Sequence, residues 1–315
     1  MNYVVRHWSF DPFVVVVALT VFAHELGLSR LRAHSAPERV RRRRWRSLLF
    51  YSGLAVLLVA IVSPIDYWSS KYFFVHMIEH VLISFAAPVL VVAGAPWIPM
   101  MFALPVKTRR KVGRYFYLSD GARVWRAVGR FVRNPWVALL SFNGSMLIWH
   151  VPKLFTLSEN NQAVHIWLMH GSFIVTGVLF WLQIIPSHPM RPAKSAIWQA
   201  GAIIITDLTM TVLAISMSFL TAVSWYPTYA HLAGVTLSPF ADQQIGAAIL
   251  WVCGDFWALP ALYVVLRRAI DADGSLSAVF DRMTGRGASP TLEQFRPSTG
   301  TQSSIVDTPE VPPRR

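Results

Sequence analysis

The residues best suited to chemistry in this chain begin with two histidines, His76 and His80, four positions apart. In a helix this spacing places both imidazoles on one face, about one turn apart. An apolar run from Val81 to Trp97 follows them, so the segment is long enough to cross a bilayer. Two imidazoles at the start of a membrane span, with the thioether of Met77 beside them, predict a metal site at a membrane boundary.

The composition is that of a membrane protein. The 315 residues are 54% hydrophobic and only 14% charged, which is too little charge to cover the surface of a soluble domain. We therefore expect an all-α, polytopic membrane protein, a bundle of seven transmembrane helices. The predicted spans are roughly 10–29, 46–63, 75–97, 136–151, 165–185, 197–222 and 243–266. Pro88 should kink the third span, so that neighbouring helices must satisfy the carbonyl it frees.

The basic residues predict the orientation of these spans. Alternate connections and the C-terminal region hold all of the 29 Lys and Arg residues except Arg6, Lys71 and Lys153. Because basic loops remain in the cytoplasm, we expect the N-terminus outside and the C-terminus in the cytoplasm of a bacterial plasma (inner) membrane. The net charge of +13 is then a signal of topology, and we expect no binding of nucleic acid.

Two parts are predicted along the chain. Residues 1–268 should form the seven-helix transmembrane domain, and residues 269–315, rich in Ser, Thr, Pro and Gly, a disordered cytoplasmic tail. An arginine cluster follows the first apolar segment and no small-residue cleavage site does, so we expect that segment to be retained. The single cysteine, Cys253, excludes any site that needs two thiolates from this chain.

Further histidines fall on the same predicted side of the membrane as His76 and His80. His150 ends the fourth span, and His165 and His170 begin the fifth, so antiparallel packing lets these five imidazoles converge. Imidazole and thioether without paired thiolates favour copper over zinc. The side chains expected to support such a site are Met77, Met146, Met169 and Glu79, the last by orienting an imidazole. The alternative is that each ring binds no metal and only occupies the membrane interface, where amphipathic side chains are enriched.

Two acids are predicted deep in the membrane, Asp207 in the sixth span and Asp255 in the seventh. Ionisable groups at this depth are costly, and they usually have a function or a partner. One interpretation is a pathway for protons or a ligand. The other is hydrogen bonding between helices, with Thr206 or Thr209 as partners.

Four segments resemble, in the same order, the CtaG-like family of cytochrome c oxidase assembly factors: His76 to Pro96, Trp149-His150-Val151-Pro152, His165 to Trp181, and Asp242-Gln243-Gln244. Members of that family are seven-helix bacterial membrane proteins implicated in copper supply to the oxidase. The resemblance spans most of residues 10–266. It implies that the family's histidines correspond to His76, His80, His150 and His170, and its acid at the start of the last helix to Asp242.

The resemblance implies a non-enzymatic assembly factor. It would hold copper, as Cu(I), at the outer membrane face and aid insertion into the copper centre of the oxidase. Its expected partners are the oxidase subunit that carries this centre and membrane lipid. Two alternatives stay open: a b-type haem protein with His80 and His170 as axial ligands, and a transporter that uses Asp207 and Asp255.

Overall fold

The computed structural model describes residues 7–8, 12–32, 37–229 and 235–273. Within these ranges the chain is helical, and its β-structure is limited to an isolated bridge between Ser187 and Met190. In chain order the helices are α1 (Phe13–Arg32), α2 (Pro37–Val62), α3 (Pro64–Ser69), α4 (Phe73–Gly94), α5 (Trp97–Phe102), α6 (Val106–Leu118), α7 (Arg123–Val132), α8 (Pro135–Trp149), α9 (Pro152–Glu159), α10 (Val164–Ile184), α11 (Ala196–Phe219) and α12 (Pro239–Asp273). The all-α prediction is confirmed for the residues described.

Six of the helices in these ranges are long and apolar enough to cross a membrane: α1, α2 from Arg43 onward, α4, α10, α11 and α12. The predicted fourth span is α8, whose 15 residues extend about 22 Å at 1.5 Å per residue. That length is shorter than a hydrocarbon core of about 30 Å. The chain is therefore a multi-pass membrane protein, while the seventh crossing and the orientation of the termini stay predictions.

The helix starts follow local sequence signals. The side chains of Ser63, Asn134 and Ser195 accept hydrogen bonds from backbone N–H groups of the first turns of α3, α8 and α11. Such caps satisfy donors that have no partner inside the helix. Pro64 and Pro135 follow the first two caps, at the position where a missing N–H costs nothing. At the other end of the described chain, α12 continues to Asp273, so residues 269–273 of the predicted disordered tail (269–315) are helical, and residues 274–315 lie outside the described residues.

Pro88 interrupts the hydrogen bonding of α4, as predicted. It has no N–H for the carbonyl of Ser84, four residues earlier, and a π turn over Leu82–Ala86 accommodates the break. The Ser84 carbonyl oxygen lies against Gly177 of α10, where a Cβ atom would come within 2.7 Å of it. Only glycine permits so close an approach of two helix backbones. A neighbouring helix therefore covers the carbonyl that the proline frees.

The two ends of the bundle carry different side chains. We call the end where α4 and α10 begin the histidine end; it carries His76, His80, His150, His165 and His170. We call the end where these two helices finish the arginine end; it carries Arg43, Arg46 and Arg191. Along α4 the two ends are separated by about 27 Å between His76 and Gly94, at 1.5 Å per residue.

Hydrogen bonds fasten the arginine end. The Ser187 hydroxyl donates to the backbone carbonyl of Val92 and accepts from the indole N–H of Trp97, 2.6 Å away. The guanidinium of Arg268 donates to the carbonyl of Ile184 at 2.7 Å, which satisfies the last turn of α10. These bonds join α4, α5, α10 and α12 at one level.

Ala95 ends α4 in the left-handed region, with φ at 48°. An L side chain in that conformation is strained, whereas glycine adopts it freely. We expect Ala95→Gly to raise the free energy of unfolding by about 0.5–1 kcal/mol, because the relief of strain exceeds the entropy that glycine adds. Thermal unfolding of the purified protein in detergent measures the change. The matched control is Ala87→Gly, inside α4, which should destabilise; the prediction is wrong if both substitutions lower the transition temperature.

Candidate metal centre

The structure brings the five predicted imidazoles together at the histidine end. Four of them are at most 1% exposed, and His165 is partly exposed. The ring centroids are separated by 4.2 Å for His76–His80, 5.6 Å for His80–His150, 6.4 Å for His80–His170 and 4.3 Å for His165–His170. His80 lies at the middle of this cluster. Whether the imidazoles act as ligands stays a prediction.

A π turn aligns the two histidines of α10. Residues five apart lie roughly 140° from each other around a regular α-helix, which would separate His165 from His170. The start of α10, Val164–His170, instead forms a π-helix, in which hydrogen bonds close between residues five apart. This winding brings the two rings to one face, where they meet edge to face at an interplanar angle of 73°. Nothing in the local sequence predicts the π turn, so sequence reasoning could not find this alignment.

Among the described His, Cys, Asp and Glu residues, one group of ligand atoms is compact enough to approach an ion together. It consists of one atom each from Glu79, His165 and His170, all within 4.8 Å of one another. Atoms bonded at about 2.1 Å to one ion lie at most about 4.2 Å apart, so a small closing movement would complete a three-ligand site. Glu79 was expected only to orient an imidazole. Its position, fully buried on α4 between the histidines, makes its carboxylate a candidate ligand.

His150 faces Met77 with a free nitrogen. Its Nδ1 lies 2.6 Å from the backbone carbonyl oxygen of Met146, which can only accept, so Nδ1 carries the hydrogen. The bare Nε2 then points at the sulfur of Met77, 3.4 Å away. A thioether has no hydrogen to donate, so two lone pairs face each other in a buried place. Ligands at about 2.0 Å (nitrogen) and 2.3 Å (sulfur) from one tetrahedral ion lie about 3.5 Å apart.

The other two methionines have different surroundings. The side chain of Met146 is buried in the hydrophobic core, and its backbone carbonyl is what contacts His150. The sulfur of Met169 lies 3.5 Å from the Ser158 hydroxyl, whose hydrogen is donated to the carbonyl of Phe155 at 2.7 Å. Of the three thioethers predicted to support the site, the structure therefore directs that of Met77 towards a bare imidazole nitrogen.

Tyr229 fixes the hydrogen of His76 in the same way. The Tyr229 hydroxyl donates to the carbonyl of Ser69 at 2.9 Å, so at 3.2 Å it can only accept from Nδ1 of His76. Burial raises the pKa of the Tyr229 phenol well above its usual range, which keeps that hydroxyl protonated. Glu159 lies 3.5 Å from the same Nδ1 and 3.0 Å from Nδ1 of His165. Neither Tyr229 nor Glu159 was predicted: Tyr229 lies in the connection before α12, distant along the chain from His76, and Glu159 ends the short helix α9.

Several polar atoms of the cluster are buried without a hydrogen-bond partner in the described structure. They are Nε2 of His76, both nitrogens of His80, both nitrogens of His170 and both carboxylate oxygens of Glu79. The 3.5 Å approach between His170 and Glu79 is an ion-pair distance that lacks hydrogen-bond geometry. Each such atom costs about 1–3 kcal/mol when nothing replaces its water. Buried groups without partners need an explanation, and bound water or a bound ion are two of the possible ones.

Asp242 caps α4 and does not point at the imidazoles. Its two carboxylate oxygens accept hydrogen bonds from the backbone N–H groups of Phe73 and Phe74, at 2.7 and 2.9 Å. One turn along α12, Gly246 lets the two helices approach: a Cβ atom there would lie 2.6 Å from the Phe73 ring. The acid at the start of α12 therefore positions the helix that carries His76.

A cavity of about 600 Å³ opens beside the cluster. Glu159 and His165 belong both to its lining and to the cluster, and Asp66 adds a second carboxylate to the wall. Carboxylates at the mouth of a cavity attract cations and raise their local concentration. The cavity is therefore a route by which an ion could reach His165 and then His170.

The two intramembrane acids lie away from this site. Asp255 is exposed on the surface of α12, and Asp207 is partly buried beside Gly254, where a Cβ atom would come within 2.9 Å of its carboxylate. Thr206, one of the partners expected for Asp207, accepts a hydrogen bond from Asn143 instead. Because Asp255 is exposed and Asp207 is only partly buried, their positions do not favour a pathway through the centre of the bundle.

The sequence matches the model of a protein family described as cytochrome c oxidase caa3 assembly factor (Caa3_CtaG) over residues 23–272. It is 28% identical over 273 residues to the uncharacterized proteins Mb0105 of Mycobacterium bovis and MT0111 of Mycobacterium tuberculosis. It is 27% identical over 277 residues to the uncharacterized protein ML1998 of Mycobacterium leprae. Each match covers 82% of this chain and 38% of the relative, so the chain spans about two fifths of the length of these curated relatives. No solved structure matches.

Proposed function

Because the chain belongs to the family of cytochrome c oxidase caa3 assembly factors, we propose that it carries one copper ion, as Cu(I), for the copper centre of a cytochrome c oxidase. The ion is cargo, held at the histidine end of the bundle on the outer face of a bacterial plasma membrane. The protein makes and breaks no covalent bond of a substrate. Its work is ligand exchange, in which donors of the oxidase subunit replace those of the carrier.

The observation that carries this proposal is the pairing of His150 and Met77. A bare imidazole nitrogen and a thioether sulfur face each other at 3.4 Å, with no hydrogen between them. Sulfur of this soft kind selects reduced copper over zinc, and imidazole suits both. Without a cation between them, burial removes the water that the nitrogen and the sulfur would otherwise contact and puts no bond in its place, which costs free energy.

Two groups of donors support a path for the ion. The cavity leads to His165, which with Glu79 and His170 forms the compact set nearest the opening. His80 lies between this set and His150, with ring centroids 6.4 Å from one side and 5.6 Å from the other. The ion enters at the first set and is held more deeply by the second, since each step exchanges one imidazole for another.

The packing around His80 favours an ion over a haem. A haem needs a flat slot between its two axial histidines. The ring of His80 is instead in contact with the rings of His76 and Phe173, whose centroids are 4.2 and 4.7 Å away. We expect the purified protein to be colourless in the Soret region, whereas a Soret band would identify a haem protein.

Loading the purified protein with Cu(I) tests the proposal. We expect about one equivalent per chain, and X-ray absorption at the copper edge should show nitrogen and sulfur neighbours. Met77→Leu should remove the sulfur signal, because it replaces the one thioether directed at a bare imidazole nitrogen. Met146→Leu is the matched control, since that sulfur lies in the core, and it should leave the signal intact. The assignment is wrong if the protein binds no Cu(I), or if sulfur persists in Met77→Leu.

A further inference from the structure

The connection between α5 and α8 contains two helices that take no part in the site at the histidine end. They are α6 (Val106–Leu118) and α7 (Arg123–Val132), which measure about 20 and 15 Å at 1.5 Å per residue. Neither helix contains a buried residue. Isolated helices of this length are marginal in water, so helices without a buried face need another surface to stabilise them. We call residues 106–133 the arm.

The second helix of the arm, α7, has two chemically opposite faces. At about 100° per residue, its large apolar side chains fall within an arc of about 120°, and the arginines fall within an arc of about 80° on the other side. The apolar side chains are between 46% and 69% exposed: Val124, Trp125, Val128 and Phe131. The arginines are Arg123, Arg126, Arg130 and Arg133. Helices with aromatic residues on one face and arginines on the other are typical of segments that lie in the plane of a membrane interface.

The whole arm is strongly basic. It contains one acidic residue, Asp120, and nine basic residues: Lys107, Arg109, Arg110, Lys111, Arg114, Arg123, Arg126, Arg130 and Arg133. Asp120 pairs with Arg123 at 3.3 Å. The guanidinium of Arg126 donates to the backbone carbonyls of Phe116 and Ser119, which joins α7 to the end of α6. The arm is therefore a fastened hairpin with a large excess of positive charge and an exposed apolar face.

Both ends of the arm are attached to the bundle near the membrane surface. Just before the arm begins, Arg30 of α1 donates to the carbonyls of Phe102 and Ala103, at 3.1 and 2.6 Å. Just after it ends, the indole of Trp136 in α8 packs edge-on against that of Trp198 in α11, with ring centroids 5.6 Å apart. Tryptophan is enriched where membrane spans meet the head groups. The arm is therefore held at head-group level at the arginine end.

The charge of the arm determines which surface can cover its apolar face. A second copy of the arm would bring nine more basic side chains against the first, and like charges repel. Protein interfaces are also poor in charged residues at their centre. A leaflet with anionic lipid offers acyl chains to the apolar face and phosphates to the basic residues. We propose that the arm lies on the membrane surface at the arginine end, with the apolar face of α7 among acyl chains and its arginines on the phosphates of anionic lipids.

Spin labels on the two faces of α7 test where the arm lies. The full chain with Cys253→Ser, which removes the single cysteine, carries one label at Val128→Cys or, as the matched control, at Arg130→Cys. In nanodiscs of phosphatidylcholine and phosphatidylglycerol, power saturation compares the access of oxygen, which concentrates in the bilayer, with that of a nickel chelate, which stays in water. We expect the ratio of oxygen to nickel access to be several-fold higher at Val128→Cys than at Arg130→Cys, because the two positions lie about 160° apart around the helix.

Hydrogen exchange of the wild-type chain tests the contribution of charge. A helix held on a bilayer retains its amide hydrogens, whereas a short helix released into water frays. We expect the amides of α7 to exchange at least about fivefold more slowly in discs with phosphatidylglycerol than in discs of phosphatidylcholine alone, since one basic residue near an anionic surface contributes about this factor. The amides of α11, which crosses the membrane, are the internal control and should exchange alike in both kinds of disc.

Three results would overturn the proposal. Nickel access at Val128→Cys as high as at Arg130→Cys would place the arm in water. A label at Val128→Cys that neither reagent reaches would show that protein, from a partner or a second copy, covers the apolar face. Equal exchange of α7 in the two kinds of disc would exclude anionic lipid as the partner. Cu(I) binding should be unchanged in both labelled variants, which separates this proposal from the function proposed above.

Discussion

Replacement of His80 and His170 together by alanine is expected to weaken Cu(I) binding at least about a hundredfold, since even groups that only orient a ligand contribute about ten- to a hundredfold each. His80 lies between the compact set at the cavity and the pair formed by His150 and Met77. His170 belongs to the compact set itself. The double substitution therefore removes one donor from the compact set at the cavity and also the imidazole that lies between this set and the His150–Met77 pair.

Competition with a coloured Cu(I) chelator measures this affinity. His188→Ala is the matched control, because it removes an exposed imidazole at the arginine end, and it should bind Cu(I) as the wild type does. Asp207→Asn separates the copper hypothesis from the transporter hypothesis: it should leave growth and oxidase activity unchanged. Intact Cu(I) binding in His80→Ala/His170→Ala would refute the metal site.

Asp242→Ala should destabilise the fold by about 3 kcal/mol, because two hydrogen bonds to a charged acceptor contribute about 1.5 kcal/mol or more each. The carboxylate holds the first backbone N–H groups of α4, at Phe73 and Phe74. Without it those donors are left buried, and the turn that carries His76 loosens. Cu(I) affinity should therefore fall although no candidate ligand has changed.

Thermal unfolding and the same chelator competition measure the two effects. Asp242→Asn should lose less stability, since its amide oxygen still accepts a hydrogen bond. Asp255→Ala, on the exposed surface of the same helix, is the control and should stay within about 0.5 kcal/mol of the wild type. The positional role of Asp242 is refuted if its alanine variant is as stable as the protein with Asp255→Ala.

Local patterns located the helices well. The third and fifth spans, predicted at 75–97 and 165–185, are found at Phe73–Gly94 and Val164–Ile184. Apolar length and the polar residues at each end determine these limits, and both can be seen in a single stretch of sequence. The histidines of the site could also be predicted from the sequence, because antiparallel packing of sequential spans places their neighbouring ends on the same side of the membrane.

Contacts between distant segments could not be predicted in this way. The π turn in α10, which places His165 over His170, depends on packing against other helices and has no local signal. The bond from Asp242 to the start of α4 joins residues 169 apart in the chain. Each of these features is decided by tertiary structure.

The hydrogens on His76 and His150 have a consequence for how cargo is released. Both rings keep their single hydrogen on Nδ1, directed at the Tyr229 hydroxyl oxygen and at a main-chain carbonyl. A metal that attaches at Nε2 therefore expels no proton from either ring, and its departure requires none to be taken up. Thiolate carriers differ, because thiols must ionise before they bind. As long as both rings are neutral, delivery from these two nitrogens therefore changes the protonation of neither ring.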